Sequence, residues 1–229
     1  MDVETTIGDV AAQLDRAQRV LFITGAGISA DSGLPTYRGV GGLYNGDDTE
    51  DGMPIEEALS GDVFAVQPEV TWKYLLQIER NCRDAGPNAA HRFIAALERR
   101  LSGVLVLTQN VDGLHRQAGS RNLIEIHGGL HKLHCVACDF ADTVEDYAGL
   151  TLPPRCPQCH GIVRPDIVLF GEALRAGAID RLVAEMQRGF DMVFIVGTSA
   201  VFPYISHPVE WAAQRGLPTV DAAAQGRFR

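Results

Sequence analysis

Short, continuous apolar runs alternate along the chain with stretches of helical periodicity. The runs VLFIT (20–24), VLVL (104–107) and MVFIV (192–196) have the length of buried strands, and shorter strand candidates lie at 123–126, 167–170 and 218–220. Apolar positions with helical spacing cover roughly residues 7–17, 68–83, 88–101, 179–186 and 209–215. Strands that alternate with helices predict an α/β fold with a doubly wound parallel sheet.

Two segments interrupt this alternation. Residues 39–87 open with a loop rich in Gly, Asp and Glu, and residues 133–163 hold four of the five cysteines. We interpret both as insertions into one nucleotide-binding sheet. The predicted sheet domain therefore comprises residues 1–38, 88–132 and 164–229, and the two insertions form a smaller, zinc-binding domain. A chain of 229 residues is long enough for this arrangement.

The composition and charge limit the kinds of partner that the protein is expected to bind. The chain is 46% hydrophobic and carries a formal charge of −9, which does not suit non-specific nucleic-acid binding and suits basic, lysine-containing partners. No segment approaches the roughly 20 apolar residues of a membrane-spanning helix. The acidic, amphipathic N-terminus does not resemble a signal peptide. These features predict a cytoplasmic protein without a membrane or specific nucleic-acid partner.

The cysteines have the spacing of a metal site. Cys135-x-x-Cys138 and Cys156-x-x-Cys159 offer four thiolates, which would close a tetrahedral shell around one structural Zn²⁺. The fifth cysteine, Cys82, lies outside the pattern and is expected to pack on a helix. Three nearby histidines are more simply read as solvated loop residues than as ligands: His131, His134 and His160. No basic stripe of a nucleic-acid-binding zinc ribbon accompanies the site.

Two glycine turns follow strand candidates. Gly25-Ala26-Gly27 comes directly after VLFIT, where small residues let backbone N–H groups approach a pyrophosphate. Gly197-Thr198-Ser199 follows MVFIV and offers hydroxyls to a ribose or phosphate. Either motif alone is equally consistent with an ordinary tight turn. The acidic residue that dehydrogenases place at a second strand end is missing, which counts against hydride transfer.

Polar side chains also follow VLVL and the next strand candidate. The octapeptide TQNVDGLH (108–115) presents Asn110 and Asp112, and His127 follows the apolar run that ends at Ile126. In an open parallel sheet these strand ends meet where ligands bind. A lone histidine is more often structural, but an imidazole with an ordinary pKa near 6.5 suits a general base at neutral pH.

The segment RPDIVLFGE (164–172) contains an apolar run between Pro and Gly. Such a run can pair with a bound peptide by strand addition. It is equally consistent with an interior strand, so the pattern alone leaves both interpretations open.

Taken together, these motifs resemble the sirtuin family. The resemblance covers roughly residues 15–220 and rests on six motifs in order: GAGISADSGLPTYRG (25–39), TQNVDGLH (108–115), HG (127–128), the two CxxC pairs, RPDIVLFGE (164–172) and GTS (197–199). It implies a Rossmann-like domain with a smaller domain made from a helical and a zinc insertion. It also implies removal of acyl groups from protein lysine, with NAD consumed and nicotinamide and O-acyl-ADP-ribose released.

The resemblance assigns roles to particular residues. His127 would be the general base on the ribose hydroxyls, and Asn110 and Gln109 would hold the ribose. Asp112 would bind the nicotinamide carboxamide. Further NAD contacts are implied for Gly25, Ala26, Gly27, Ser29, Tyr37, Arg38, Gly197, Thr198 and Ser199. The substrate peptide would pair with Val168, Leu169, Phe170 and Gly171, and Phe170 would also line the acyl-lysine tunnel with His127.

The chain departs from the family pattern in ways that bear on its acyl substrate. Asp31 and Tyr37 replace the usual Glu and Phe, which are mild changes. Family members that remove acidic acyl groups carry a Tyr-x-x-Arg pair where this chain has Leu75 and Ile78. A succinyl carboxylate would stay unpaired in an apolar site. We therefore expect the removal of acetyl or longer apolar acyl groups.

The last strand reads Val220-Asp221-Ala222-Ala223 where the family usually has a Glu-Ile-Asn-like segment near the adenosine. This departure leads us to expect weakened NAD affinity and lower stability. It also leaves two alternatives to the deacylase interpretation. One is an NAD glycohydrolase or ADP-ribosyltransferase, which would use the same residues, and the other is an NAD-binding protein with degenerate activity.

Overall fold

The computed structural model describes residues 3–36 and 49–222. The first half contains α1 (Val3–Leu14), β1 (Arg19–Thr24), a 3-10 helix η1 (Ala26–Ser32), α2 (Ile55–Ala58), α3 (Gly61–Val66), α4 (Pro68–Arg83), α5 (Ala89–Leu97) and β2 (Gly103–Thr108). The second half contains α6 (Leu114–Gln117), β3 (Leu123–Glu125), β4 (Gly128–Cys135), β5 (Ala141–Thr143), β6 (Val163–Ile167), α7 (Ala176–Arg188), β7 (Met192–Val196), α8 (Pro203–Gln214) and β8 (Thr219–Ala222).

Five strands form the main sheet in the order β3-β2-β1-β7-β8, and every neighbouring pair is parallel. Helices cover both faces, so the central strands are buried on both sides and read as continuous apolar runs. Thr24 of β1 lies beside Thr108 of β2 and Val196 of β7. The carboxyl ends of three strands therefore share one edge, which confirms the predicted parallel α/β architecture.

A second, antiparallel sheet has the order β5-β4-β6. β4 begins at Gly128, one residue after His127, and β6 ends at Ile167, one residue before Val168. The strands of the small sheet thus extend past the predicted limits at 132/133 and 163/164 toward the edge of the main sheet. The division into domains stays a prediction at the level of its residue limits.

The residues of both predicted insertions share one hydrophobic cluster. Trp72 and Leu75 of α4 pack in the same cluster as Leu133, Cys135 and Cys156 of the cysteine region. The indole N–H of Trp72 also donates to the Val163 carbonyl at 3.1 Å. The helices of residues 55–83 and the small sheet therefore form one packed body beside the main sheet.

The limits of three predicted elements differ in the structure. α5 ends at Leu97 rather than Leu101, because the chain beyond it turns and the N–H groups of Arg99 and Arg100 bond three residues back. The apolar run 167–170 is a strand only to Ile167, because the Phe170 backbone pairs with residues 59–61 instead. α8 begins at Pro203, six residues earlier than the periodicity indicates, since proline suits the first turn of a helix.

Within the described ranges, the longest and most apolar helices still fall short of what is needed to cross a membrane.

Candidate active site

The glycine turns after β1 and β7 pack against each other at the carboxyl edge of the main sheet. The N–H of Gly25 donates to the Val196 carbonyl at 3.1 Å, and the N–H of Gly27 donates to the Gly197 carbonyl at 2.9 Å. A Cβ on Gly27 would lie 2.6 Å from the Gly197 Cα, and Gly197 has a φ of 62°. Glycine is needed here for contact between the two turns, and both N–H groups already have acceptors inside the protein.

Asn110 is fixed at the end of β2 with one acceptor left over. Its amide nitrogen donates to the Gly25 carbonyl at 3.1 Å and to Ser29 Oγ at 3.2 Å. These two bonds use both N–H groups and determine which way the amide faces. Its Oδ1 is buried without a hydrogen-bond partner in the described structure. A buried acceptor of this kind calls for a donor, such as a ribose hydroxyl.

Asp112 faces a small cavity of about 30 Å³ next to Asn110. One carboxylate oxygen accepts from Ser29 Oγ at 2.7 Å and the other from the Leu114 N–H at 3.0 Å. Cys82, on α4, lines the same cavity. Burial raises the pKa of its thiol to about 12, helped by the charges of Asp112 and Glu79, so the thiol stays protonated.

Gln109 connects three parts of the site. Its backbone N–H donates to the Thr24 carbonyl at 3.0 Å and its side-chain amide donates to Thr198 Oγ1 at 2.7 Å. Its backbone carbonyl faces His127 Nδ1 at 2.9 Å. Gln109 thereby ties the ends of β1 and β2 to the turn after β7 and to the candidate base.

His127 is held so that one ring nitrogen remains basic. A carbonyl only accepts, so Nδ1 carries the hydrogen and donates to Gln109, and Nε2 keeps its lone pair. Nε2 lies 2.8 Å from the Tyr204 hydroxyl. Burial lowers the pKa of His127, and the bond to the Gln109 carbonyl offsets only part of this effect. The ring is neutral at pH 7, as a general base requires.

These residues surround one large cavity of about 700 Å³, a size typical of small-molecule sites. Eight of the predicted NAD contacts line it: Gly25, Ala26, Gly27, Gln109, Asn110, Gly197, Thr198 and Ser199. Ser29 and Asp112 line the small cavity instead. His127 and all four predicted peptide residues also line the large cavity: Val168, Leu169, Phe170 and Gly171. Tyr37 and Arg38 lie outside the described residues.

The segment after β6 is anchored by Glu172. Its carboxylate accepts from the Leu169 N–H at 2.8 Å and from two nitrogens of Arg164 at 2.5 and 3.0 Å. Burial by itself would raise the pKa of Glu172, but the bonds from Arg164 and Leu169 lower it below its ordinary value. The Arg164 guanidinium also lies 4.8 Å from the centre of the Phe64 ring. This network fixes the wall of the cavity formed by residues 168–171.

The second half of the octapeptide serves the core rather than the cavity. His115 is 3% exposed, and its Nε2 lies 3.0 Å from Thr24 Oγ1. Its ring contacts that of His91 edge to face at a centroid distance of 4.8 Å. Asn88 caps α5 and contacts His91 Nδ1 at 3.0 Å. One short motif thus supplies both the site and the packing beneath it.

The four cysteines of the small domain fit a zinc ion. The Sγ atoms of Cys135 and Cys159 are 3.4 Å apart, those of Cys138 and Cys156 are 3.6 Å apart, and all four lie within 4.8 Å. Tetrahedral zinc with zinc–sulfur bonds of about 2.3 Å has sulfur–sulfur edges of about 3.8 Å. Backbone N–H groups donate to two of the sulfurs at 3.3 and 3.4 Å. The donor set supports the predicted structural zinc. Four sulfurs fill the tetrahedral shell of the ion, so no position is left open for a substrate.

Sequence reasoning missed two aromatic residues of the site. Phe202 and Tyr204 line the large cavity, and their rings stack at a centroid distance of 5.5 Å. They follow the predicted turn at 197–199 within a few residues. No spacing rule links Tyr204 to His127, because 77 residues separate them along the chain.

The comparisons with known proteins point to one family. A family model described as "Sir2 family" matches residues 25–203. NAD-dependent protein deacylase 2 of Pseudomonas aeruginosa is 52% identical over 224 residues, covering 96% of this chain and 87% of the relative. NAD-dependent protein deacylase 1 of Archaeoglobus fulgidus is 41% identical over 205 residues, covering 88% of this chain and 80% of the relative.

Solved structures agree. A Sir2 homologue in complex with NAD matches with a TM-score of 0.82 and 35% identity, covering 93% of this chain and 81% of the other. A Sir2 protein with a deacetylated p53 peptide and 3'-O-acetyl ADP ribose matches with a TM-score of 0.81 and 29% identity, covering 94% of this chain and 85% of the other.

Proposed function

This chain belongs to the Sir2 family, and on that basis we propose that it removes acetyl or other apolar acyl groups from protein lysine with NAD as co-substrate. The products are the free lysine, nicotinamide and O-acyl-ADP-ribose. One observation carries the proposal. The basic nitrogen of His127 and the orphaned acceptor of Asn110 lie at one cavity, and the segment 168–171 forms part of its wall.

The residues divide the work by chemistry. When bound, NAD supplies the ribose carbon that accepts the acyl oxygen, with nicotinamide as the leaving group. Asn110 Oδ1 accepts a hydrogen bond from a ribose hydroxyl, because its amide nitrogen has no hydrogen left to donate. Asp112 binds the carboxamide, and its place beside the small cavity gives it a carboxylate with spare acceptor capacity.

His127 acts as the general base. Its Nε2 takes the proton of a ribose hydroxyl, and that oxygen then attacks the acyl carbon. Donation from Nδ1 to the Gln109 carbonyl holds the ring in the tautomer that the step needs and stabilises the imidazolium that results. We assign the remaining ribose and phosphate groups to Gly25, Ala26, Gly27, Ser29 and the 197–199 turn, by close approach rather than by the Gly25 and Gly27 N–H groups, which are already bonded. The family resemblance adds Tyr37 and Arg38, which lie outside the described residues.

The acyl group enters an apolar part of the cavity. Leu75 and Ile78 line it, at the two positions where relatives that remove acidic acyl groups carry Tyr and Arg, together with Leu130 and Leu169. None of the described residues that line the cavity is Lys or Arg. An acidic acyl group would lose its hydration without gaining a partner. We therefore propose a preference for acetyl and longer apolar chains over succinyl.

The test is the NAD-dependent loss of acetyl groups from a lysine peptide. His127→Ala should lower the rate by roughly 10²- to 10⁴-fold, the usual contribution of a general base, while calorimetry still shows NAD binding. His207→Ala is the matched control, because His207 is exposed on α8, and it should retain the full rate. A His127→Ala protein that deacetylates at the wild-type rate would remove the base from the mechanism.

A further inference from the structure

The one basic nitrogen of His127 is already engaged in the free protein. Gln109 fixes the hydrogen on Nδ1, so Nε2 has a lone pair and no hydrogen of its own. The Tyr204 hydroxyl, 2.8 Å away, must therefore be the donor in this bond. Burial raises the pKa of Tyr204, so the hydroxyl keeps its proton at neutral pH and can donate it.

The surroundings of Tyr204 hold its hydroxyl at this position. Tyr204 lies in the first turn of α8, where Pro203 begins the helix. Its ring stacks on Phe202 with an interplanar angle of 12° and meets the imidazole edge to face at 83°, with centroids 5.8 Å apart. Tyr204 and Phe202 both line the large cavity. The hydroxyl thus approaches His127 from the cavity side, where substrates must also approach.

One lone pair cannot serve two donors. For His127 to act as a base, the O–H bond of a ribose hydroxyl breaks, an Nε2–H bond forms, and the electron pair stays on the ribose oxygen. We propose that Tyr204 is a positioning residue that holds Nε2 of His127 in the free protein and must release it before a ribose hydroxyl can be deprotonated. This inference rests on the proposed function, but the contact itself exists without substrate.

The contact has a physical reason. Nε2 faces a largely apolar cavity, and a half-buried acceptor without a donor is costly. Tyr204 satisfies it and keeps the ring oriented until substrate arrives. When substrate binds, the ribose hydroxyl replaces the Tyr204 hydroxyl as the donor to Nε2. The base therefore keeps a hydrogen-bond partner throughout.

The first experiment examines the free protein and requires no turnover. Nitrogen NMR of ¹⁵N-histidine-labelled protein, with the His127 signals identified from His127→Ala, reports hydrogen bonding at each ring nitrogen. In Tyr204→Phe the Nε2 signal should move downfield, because this nitrogen loses its donor, while Nδ1 keeps its hydrogen. Tyr74→Phe is the matched control, since it removes a tyrosine hydroxyl that bonds to Asp51 outside the cavity. An unchanged Nε2 signal in Tyr204→Phe would overturn the proposal.

The second experiment measures, during turnover, how often the reaction goes on to deacylation rather than back to NAD. Nicotinamide release can reverse until His127 acts, so the ratio of labelled-nicotinamide exchange into NAD to peptide deacylation measures how readily the base acts. Tyr204→Phe should lower this ratio about two- to tenfold, the range set by one neutral hydrogen bond, and Tyr74→Phe should leave it unchanged. A merely structural residue would lower both rates together.

Other outcomes separate the two claims. Loss of deacylation in Tyr204→Phe to the level of His127→Ala would make Tyr204 a proton relay and overturn the inference. An unchanged ratio would also overturn it. If wild-type protein exchanges and deacylates nothing, the proposed function fails, while the NMR experiment still decides whether Tyr204 holds His127.

Discussion

At the scale of single residues, two buried imidazoles beneath the site couple its integrity to pH. His115 is buried and contacts Thr24 and His91. Burial lowers the pKa of His115 to about 3, with a further contribution from His91, whose own pKa burial also lowers. Folded protein therefore keeps both rings neutral at a pH where the unfolded chain already takes up protons.

Stability should consequently fall as the pH drops below about 6.5, the ordinary value of histidine. Between about 6.5 and 3 the unfolded state binds more protons than the folded state, so His115 should cost about 2–3 kcal/mol at pH 4.5 relative to pH 7.5. Urea unfolding at both pH values measures this. His115→Gln should be less stable at pH 7.5 but show a smaller pH-dependent loss. His207→Gln, an exposed control, should lose as much stability between pH 7.5 and 4.5 as the wild type. If His115→Gln also lost as much as the wild type, the loss would not come from His115.

A second prediction at this scale concerns the acyl chain. Ile78→Arg should place a guanidinium beside the proposed acyl site, because Ile78 lines both the large and the small cavity. The ratio of kcat/KM for succinyl- to acetyl-lysine peptide should rise at least roughly tenfold, since a paired carboxylate loses its desolvation penalty. Ile78→Leu, which keeps the site apolar, should leave the ratio unchanged. Wild-type protein that processes the succinyl peptide faster would contradict the apolar preference.

At the scale of elements, apolar runs predicted β1, β2 and β7 well, because strands buried on both faces carry no polar alternation that could confuse the pattern. The apolar run at 167–170 was predicted to be a strand over its whole length, but β6 ends at Ile167. Its apolar side chains line a cavity and its backbone at Phe170 pairs with residues 59–61, so hydrophobicity alone did not reveal where β6 ends. The start of α8 was missed because Pro203 and Pro208 obscure its periodicity.

The contact between the two glycine turns gives an element-scale prediction. Gly27→Ala should destabilise the protein by about 1–3 kcal/mol, because its Cβ would lie 2.6 Å from the backbone of Gly197. Gly177→Ala is the matched control. Gly177 lies in α7 with open space around it, so alanine there should be neutral or stabilise the helix. Thermal unfolding of both variants measures the difference, and equal melting temperatures would show that the turns can separate freely.

The cysteine cluster gives a second element-scale prediction. Purified protein should contain one zinc per chain, and Cys156→Ser should lose the metal and lower the Tm by roughly 5 °C or more, because Cys156 also belongs to the core that α4 shares with the small sheet. Cys82→Ser should keep both the zinc and most of the stability. Metal analysis that finds zinc retained in Cys156→Ser would contradict the four-sulfur site.

At the scale of the whole molecule, the site lies where the two bodies meet. The main sheet contributes the ends of β1, β2 and β7, and the opposite wall is formed by the segment 168–171 after β6 and by the helix α4. That Asn110 and His127 meet at one cavity and that the four cysteines cluster was predictable, because their types and local spacing carry the signal. Tyr204 was not, since its contact with His127 exists only through the fold.

We predict that one cavity couples NAD cleavage to acyl transfer. This distinguishes a lysine deacylase from a protein that only hydrolyses NAD, which would use the same ribose-binding residues. In the deacylase, the acyl oxygen is the atom that displaces nicotinamide, so no NAD should be consumed without an acylated peptide.

The most direct measurement is mass spectrometry of the products from NAD and an acetyl-lysine peptide. We predict deacetylated peptide, nicotinamide and O-acetyl-ADP-ribose in equal amounts, and in His127→Ala all three should form roughly 10²- to 10⁴-fold more slowly, while nicotinamide exchange, which precedes the action of the base, continues. NAD consumption that yields free ADP-ribose at the same rate with and without peptide would contradict it and identify a glycohydrolase instead.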